Sequence, residues 1–166
     1  LTGLLTETGK DVVALGRGEL DITDVGAVGT AVHTHQPTVV VNCAGWTAVD
    51  EAETHEAEAL RANGHGPANL VGACAEIGAK LVQISTDYVF DGRAGTPYPE
   101  DAIPDPATAY GRSKLAGELA VLAGPPELGY VVRTAWLYGR HGPSFVRTII
   151  GLADTPRPEA RAAIAR

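Results

Sequence analysis

Apolar residues arrive along this chain in two ways: as short unbroken runs, and as longer stretches in which they recur every three or four positions. Val12-Val13-Ala14-Leu15, Val39-Val40-Val41, Leu81-Val82 with Ile84, and Tyr130 to Arg133 are of the first kind. Such runs predict four strands, the first two covered on both faces of a sheet. Leu1, Leu4 and Leu5 have helical spacing that stops at Gly9, and Asp21-Ile22-Thr23-Asp24 offers a turn and an N-cap for a helix to about His35, closed by Pro37. From about Thr54 to Ile77 a stripe of Ala57, Leu60, Ala68, Val71 and Ala75 predicts helix, with a break near Pro67. Two more helices are predicted, over Ala109 to Leu122 before Gly124-Pro125-Pro126, and over Phe145 to Leu152.

Strands alternating with amphipathic helices predict an α/β fold built on an open, mostly parallel sheet. Residues 85–108, rich in Pro, Asp, Gly and Thr, read as a long loop of the kind that carries function. Residues 1–153 form the expected domain, and the Pro/Arg/Ala-rich residues 154–166 an irregular or weakly ordered tail.

Composition narrows the function. At 166 residues and 17.2 kDa the chain can bury a core without disulfides or metal. Thirteen Lys+Arg against twenty Asp+Glu give a net charge of -7, the wrong sign for binding nucleic acid or anionic lipid by charge. Cys43 and Cys74 lie in apolar segments without CxxC spacing and are expected to be buried thiols, and the five histidines are too scattered to predict a metal site. The apolar stretches fall short of the roughly twenty residues that span a bilayer, and no basic segment with an apolar follow-on marks the N-terminus, so a cytoplasmic chain is expected.

The sharpest local chemistry is Tyr110-Gly111-Arg112-Ser113-Lys114 at the start of a predicted helix. Four residues apart, Tyr110 and Lys114 share a helical face, where an ammonium can stabilise a phenolate; by itself such a pair also arises by chance on surface helices. Context comes from Ser85-Thr86-Asp87-Tyr88-Val89-Phe90-Asp91-Gly92, at the C-terminal end of a predicted strand, the end at which parallel sheets bind ligands. A Thr86 hydroxyl beside Tyr110 and Lys114 gives a hydrogen-bond donor, a proton donor and a cation, the set needed when hydride turns a carbonyl into an alcohol.

These strings, with Leu20 to Asp24, Val41 to Asp50, Pro97-Tyr98, Tyr110 to Glu118 and Arg133 to Gly139, cover nearly the whole chain. On them the chain resembles the dTDP-4-dehydrorhamnose reductase family of extended short-chain dehydrogenases/reductases. The resemblance implies a Rossmann-like doubly wound parallel sheet that binds NADPH or NADH. It assigns Thr86, Tyr110 and Lys114 as catalytic: Tyr110 protonates the C4 oxygen of the sugar, Thr86 orients the carbonyl, and Lys114 holds the nicotinamide ribose and lowers the Tyr110 pKa. Asp21 and Ile22 fall near the adenine, Ala44, Gly45 and Trp46 along the dinucleotide, and Asn63 behind it, with Arg17 as a candidate for a ribose phosphate. Val49, Thr86, Asp87, Tyr88, Tyr110 and Trp136 are the implied sugar contacts. The expected substrate is the dTDP-keto-deoxy sugar dTDP-6-deoxy-L-lyxo-4-hexulose and the product dTDP-L-rhamnose, with a homodimer as candidate assembly of a full-length form.

Some positions depart from the family. Trp46 stands where many relatives carry Tyr, and Gly45 replaces a more usual Ala, a change expected to be tolerated. Family members begin with a strand and a Gly-rich phosphate turn, which Gly3 does not replace, and continue into a sugar-nucleotide region after the segment resembling Phe145 to Ala153. The chain is thus expected to be truncated at both ends, with an unfilled lane in the sheet. Two alternatives stay open: a noncatalytic regulatory subunit like that of methionine adenosyltransferase, and another sugar-nucleotide reductase or epimerase.

Overall fold

Three of the four apolar runs become strands. In the computed structural model, which describes residues 1–139, 142 and 144–153, β1 (Val39–Asn42), β2 (Lys80–Thr86) and β3 (Gly129–Thr134) lie side by side in that order. β1 and β2 are parallel, with Val40 opposite Leu81 and Asn42 opposite Gln83. The fourth run, Val12 to Leu15, is not a strand. A strand exists only by its ladder, and no described strand pairs with this segment, so Val13 and Leu15 are exposed. β1 also departs from the expected two-sided burial, because among the described residues only the face carrying Val40 and Asn42 is covered. Val40 packs on the core, whereas Val39 and Val41 are 47% and 37% exposed.

The helices follow their local signals. α1 (Thr2–Glu7) ends where Gly9 and Lys10 N–H groups return to the carbonyls of Thr6 and Leu5. α2 (Val25–His35) is capped by Asp24 Oδ1, which accepts from the N–H groups of Gly26 and Ala27 at 2.9 and 3.0 Å. The parallel crossover from β1 to β2 carries α3 (Val49–Ala52), α4 (Glu56–Leu60), a π-helical turn over Arg61–His65 and α5 (Gly66–Ile77). The break expected near Pro67 is this π turn. Pro67 has no N–H to offer the carbonyl of Asn63, and α6 (Ala109–Leu122) comes so close that a Cβ on Gly117 would strike that carbonyl oxygen. A wide turn with close neighbours often marks a functional segment.

Leu81 of β2 sits at the centre of the core, between Val28 and Val32 of α2, Leu70 and Cys74 of α5, and Val121 of α6. Burying each such side chain contributes roughly 1.5–3 kcal/mol. Cys74 is buried as expected, but Cys43 is exposed, because it falls one residue beyond the last paired position of β1, where the loop begins. Among the described residues no His, Cys, Asp or Glu side chains gather as a metal site, and no helix is long and apolar enough to cross a membrane.

The contacts divide the chain into two compact units, Leu1–Arg133 and Thr134–Arg166. In the second, α7 (Phe145–Ala153) is amphipathic, and the Trp136 ring meets the Phe145 ring edge-on, centroids 5.2 Å apart. The weakly ordered tail expected over residues 154–166 lies outside the described residues.

Candidate active site

Thr86 is the last residue of β2, and a single 3₁₀ turn over Asp87–Val89 follows it. Its Oγ1 accepts the Tyr88 N–H at 3.2 Å and donates to Asp87 Oδ1 at 3.1 Å, which fixes the hydroxyl at the C-terminal end of the sheet. Tyr110 occupies the first turn of α6. That helix start is pinned twice: Thr108 Oγ1 accepts the Gly111 N–H at 3.0 Å, and Glu53, from the far end of α3, accepts the Ala109 N–H at 2.8 Å. The helix also presses on the 3₁₀ turn, since a Cβ at Gly111 would collide with the Tyr88 carbonyl oxygen. The Tyr88 ring stands edge-on to the Tyr110 ring, centroids 5.6 Å apart at 78°.

The Thr86 hydroxyl lies close enough to the Tyr110 phenol to act on its ionisation. Burial raises the Tyr110 pKa above its ordinary 10.0; the Thr86 hydroxyl works the other way, and the charges of Asp87 and Tyr88 raise it further. One helical turn on, Lys114 is 8% exposed, and its Nζ donates to the Ile84 carbonyl at 2.6 Å. Burial lowers its pKa, opposed by Glu118 and Cys43. Desolvation thus dominates, and the Tyr110 shift is upward rather than the lowering expected from Lys114. A neutral phenol at physiological pH is the form that gives up a proton.

The loop leaving β1 runs beside this pair. Asn42 Oδ1 accepts the Ala44 N–H at 3.0 Å, its Nδ2 donates to Gln83 Oε1 at 2.8 Å, and Gln83 Nε2 donates to the same Ile84 carbonyl that Lys114 uses, at 2.9 Å. Asn63, in the π turn, accepts the Trp46 N–H at 2.8 Å and donates to the Trp46 carbonyl at 3.1 Å and to Ser113 Oγ at 2.9 Å. Ser113 Oγ in turn donates to the Tyr110 carbonyl at 2.7 Å. Gly45 is not freely exchangeable for Ala, because a Cβ there would meet Asn63 Oδ1 at 2.5 Å. Cys43, Ala44 and Gly45 are exposed, and the Trp46 indole stacks on His55.

The remaining expected contacts fall in three places. Asp21 closes an Asx turn, Oδ1 accepting the Thr23 N–H at 2.9 Å and its hydroxyl at 2.8 Å; these bonds, helped by the charges of Arg17 and Arg61, hold its carboxyl below the usual range. Ile22 packs on the core and its carbonyl accepts Asn69 Nδ2 at 3.0 Å. Val49 opens α3, and Asp87 and Tyr88 form the 3₁₀ turn with Thr86. Trp136 belongs to the second unit, where it is 73% exposed with a left-handed φ of 51°.

Residues 1–163 match the family model described as the RmlD substrate binding domain. The chain belongs to that family. It is 59% identical over 152 residues to a dTDP-4-dehydrorhamnose reductase of Streptomyces griseus, a match covering 92% of this chain and 50% of the relative. Among solved structures it is similar to a dTDP-4-dehydrorhamnose reductase of Clostridium acetobutylicum, with 46% identity and a TM-score of 0.87 over 91% of this chain and 53% of the other. It is also similar to the Bacillus anthracis dTDP-4-dehydrorhamnose reductase solved in complex with NADP, with 41% identity and a TM-score of 0.82 over 89% and 52%. The chain thus spans about half the length of the relatives it matches, and its α/β architecture is Rossmann-like.

In this RmlD-family chain the supporting residues Glu53, Asn42, Gln83, Ser113, Glu118 and Arg133 escaped the sequence reading. Three left a trace in it. Asn42 and Gln83 interrupt apolar runs at paired register positions, and Glu118 follows Lys114 at the i, i+4 spacing of a helical ion pair.

Proposed function

We propose that the full protein is an NAD(P)H-dependent reductase that converts dTDP-6-deoxy-L-lyxo-4-hexulose to dTDP-L-rhamnose. The observation that carries this reading is the convergence of Thr86, at the C-terminal end of β2, with Tyr110 in the first turn of α6, whose ring meets that of Tyr88 at 5.6 Å, and with buried Lys114 one turn on. The names of the relatives supply the substrate class, and the NADP complex of one of them supports the cofactor.

The donor set of the chain fits a dinucleotide. Lys114 gives one of its three N–H bonds to Ile84, so two are left for ribose hydroxyls. The exposed backbone of Cys43 to Gly45 lies in a loop that Asn42 and Asn63 hold rigid from behind. Ala44, Gly45, Trp46 and Asn63 would line that side, with Asp21, Ile22 and Arg17 toward the adenosine end. A bound reduced nicotinamide supplies the hydride.

The chain's own part is proton delivery and orientation. As the C4 carbonyl carbon accepts hydride, its oxygen takes the phenolic proton of Tyr110, while the Thr86 hydroxyl fixes the carbonyl and disperses its developing charge. Lys114 stabilises the phenolate left behind. Val49, Asp87 and Tyr88 are the proposed sugar contacts. A cytoplasmic setting goes with this chemistry, since the reduced nicotinamide pool is there.

The test is hydride transfer by the full-length protein from NADPH and NADH to the dTDP-keto sugar, followed by nicotinamide absorbance. Turnover that vanishes in Tyr110→Phe while NADPH still binds supports the reading. A folded full-length protein that binds NADPH without turnover points to the regulatory alternative.

A further inference from the structure

One buried ion pair plays no part in the mechanism above. Glu118 of α6 is 1% exposed, and Arg133 of β3 grips its carboxylate with three bonds, Nε to Oε1 at 3.0 Å and to Oε2 at 3.2 Å, and Nη2 to Oε2 at 2.7 Å. Replacing such a pair by apolar residues is often neutral or stabilising, so cohesion alone is a weak reason for its presence. A better one lies in what else the guanidinium touches. It sits over the Phe90 ring, 5.0 Å from its centre, and Nη1 donates to the Glu100 carbonyl at 3.3 Å. Phe90 stacks on Tyr98, centroids 4.3 Å apart and planes 4° from parallel. The Tyr98 hydroxyl donates to Asp91 Oδ1 at 2.6 Å and accepts the Ala94 N–H at 3.2 Å. Gripping a carboxylate with a fork while stacking on a ring is a task for the planar guanidinium, which a lysine in its place could not perform.

What is held this way is the loop that leaves the candidate site. Residues 92–97 are exposed, so core packing does not fix the loop there. Its two arms meet where Phe90 stacks on Tyr98, and Arg133 fastens one arm at Phe90 and the other at Glu100. At the root of the loop the Phe90 N–H donates to the Asp87 carbonyl at 3.0 Å, closing the 3₁₀ turn, and the carbonyl of fully buried Val89 accepts the Asp105 N–H at 2.9 Å. Two residues before Phe90, the Tyr88 ring stands edge-on to Tyr110 and the Tyr88 carbonyl presses on Gly111. The turn is thus set by Thr86 at one end and by Phe90 at the other. Tyr110 and Glu118 share α6, so a path of direct contacts runs from the Glu118 carboxylate through Arg133 and Phe90 to the ring that faces Tyr110.

We propose that Arg133 is a positioning residue for this site: anchored by Glu118, it clamps the Phe90–Tyr98 stack and through it sets the Asp87–Val89 turn, with Tyr88, against Tyr110. This rests on the reading of Tyr110 as the acid and Tyr88 as a sugar contact, but its first readout needs no turnover. The tyrosines of the full-length protein are replaced by 3-fluorotyrosine. The ¹⁹F resonances of Tyr88, Tyr98 and Tyr110 are assigned with Tyr88→Phe, Tyr98→Phe and Tyr110→Phe, and spectra are taken without cofactor or sugar. Phe90→Leu keeps apolar bulk at a half-buried position and leaves the Glu118–Arg133 pair intact, whereas Arg133→Lys keeps the charge but loses the fork and the stack. Both are expected to move the Tyr110 resonance, and Phe90→Tyr to return it to the wild-type position.

In active protein, kcat for the dTDP-keto sugar is expected to fall about 10–100-fold in Phe90→Leu, the scale of loss when reacting groups are misplaced by up to about 1 Å. KM for NADPH stays at its wild-type value, because the loop after β1 is not on this path. Should Arg133→Lys fail to fold around a half-paired Glu118, Phe90→Leu decides alone. A Tyr110 resonance unmoved in folded Phe90→Leu, with only Tyr98 shifted, overturns the proposal and leaves the clamp a local tie of the loop. Equal losses in kcat and in NADPH affinity overturn it too, since they report a general loosening. A wild-type protein without turnover defeats the reductase reading and leaves the ¹⁹F readout legible.

Discussion

The side chain of Asn63 pairs with the backbone of Trp46 in both directions, accepting its N–H at 2.8 Å and donating to its carbonyl at 3.1 Å across 17 residues of chain. One amide thus does for the loop after β1 what a neighbouring strand does for a sheet. Its second N–H, on Ser113, links that loop to the first turn of α6, where Ser113 holds the Tyr110 carbonyl. The loop proposed to carry the cofactor and the helix proposed to carry the acid are positioned by the same residue.

Asn63→Ala should therefore disturb both at once. It leaves the part-buried Trp46 N–H without its acceptor, a loss of about 1–3 kcal/mol in urea unfolding. Freed from its backbone tie, the Trp46 indole should also show a shifted emission in the folded protein, and KM for NADPH should rise more than kcat falls. A variant with unchanged emission and stability would show that the loop holds its shape without Asn63.

Tyr110→Phe and Thr86→Val separate proton donation from orientation. Losing the phenol removes the general acid, and kcat should drop by about 10²–10⁴-fold with NADPH affinity little changed. Thr86 acts to lower the Tyr110 pKa, so in Thr86→Val phenolate formation, read by ultraviolet absorbance, should shift to higher pH. A shift to lower pH would mean that the Thr86 hydroxyl does not favour the phenolate.

The local signals in the chain were strong enough to place most elements. α6 runs over Ala109–Leu122, ending ahead of Gly124-Pro125-Pro126 as expected, and α2 is capped by Asp24 and stops before Pro37 as its local signals predict. What the sequence hid were properties of pairs. Val12 to Leu15 has the composition of a strand, but a ladder needs a partner, and partnership is not written in four residues. Cys43 sits in an apolar segment and is exposed because the pairing ends at Asn42. Tyr110 and Lys114 were visible as a spaced pair, yet the direction of each pKa depends on burial that only the packed helix determines.

Burying Lys114 has a stability consequence with a definite sign. Its native pKa lies below the ordinary 10.5, so between the two values the unfolded chain binds more protons than the native one, and stability rises with pH. At neutral pH the buried ammonium is a penalty that fades as pH climbs toward 10.5. Lys114→Met removes the charge, and Gln83 still satisfies the Ile84 carbonyl. The variant should match or exceed wild-type stability at neutral pH, with its advantage shrinking toward alkaline pH, while hydride transfer is lost. An advantage that grows with pH would contradict the lowered pKa.

The two cysteines give a probe of the proposed cofactor shelf that needs no mutation. Cys74 is buried against the core, and desolvation pushes its thiol up to about 11, so it should resist alkylation until the chain unfolds. Cys43 is exposed at the start of the loop proposed to lie along the dinucleotide. In the full-length protein, iodoacetamide should label Cys43 first, and saturating NADPH should slow that labelling at least tenfold without changing Cys74. Protection of Cys43 by NADPH ties cofactor binding to the loop after β1 and so to Asn63 and Lys114 behind it. Equal labelling rates with and without a cofactor shown to bind would place the dinucleotide elsewhere, and the assignment of Ala44, Gly45 and Trp46 would fail with it.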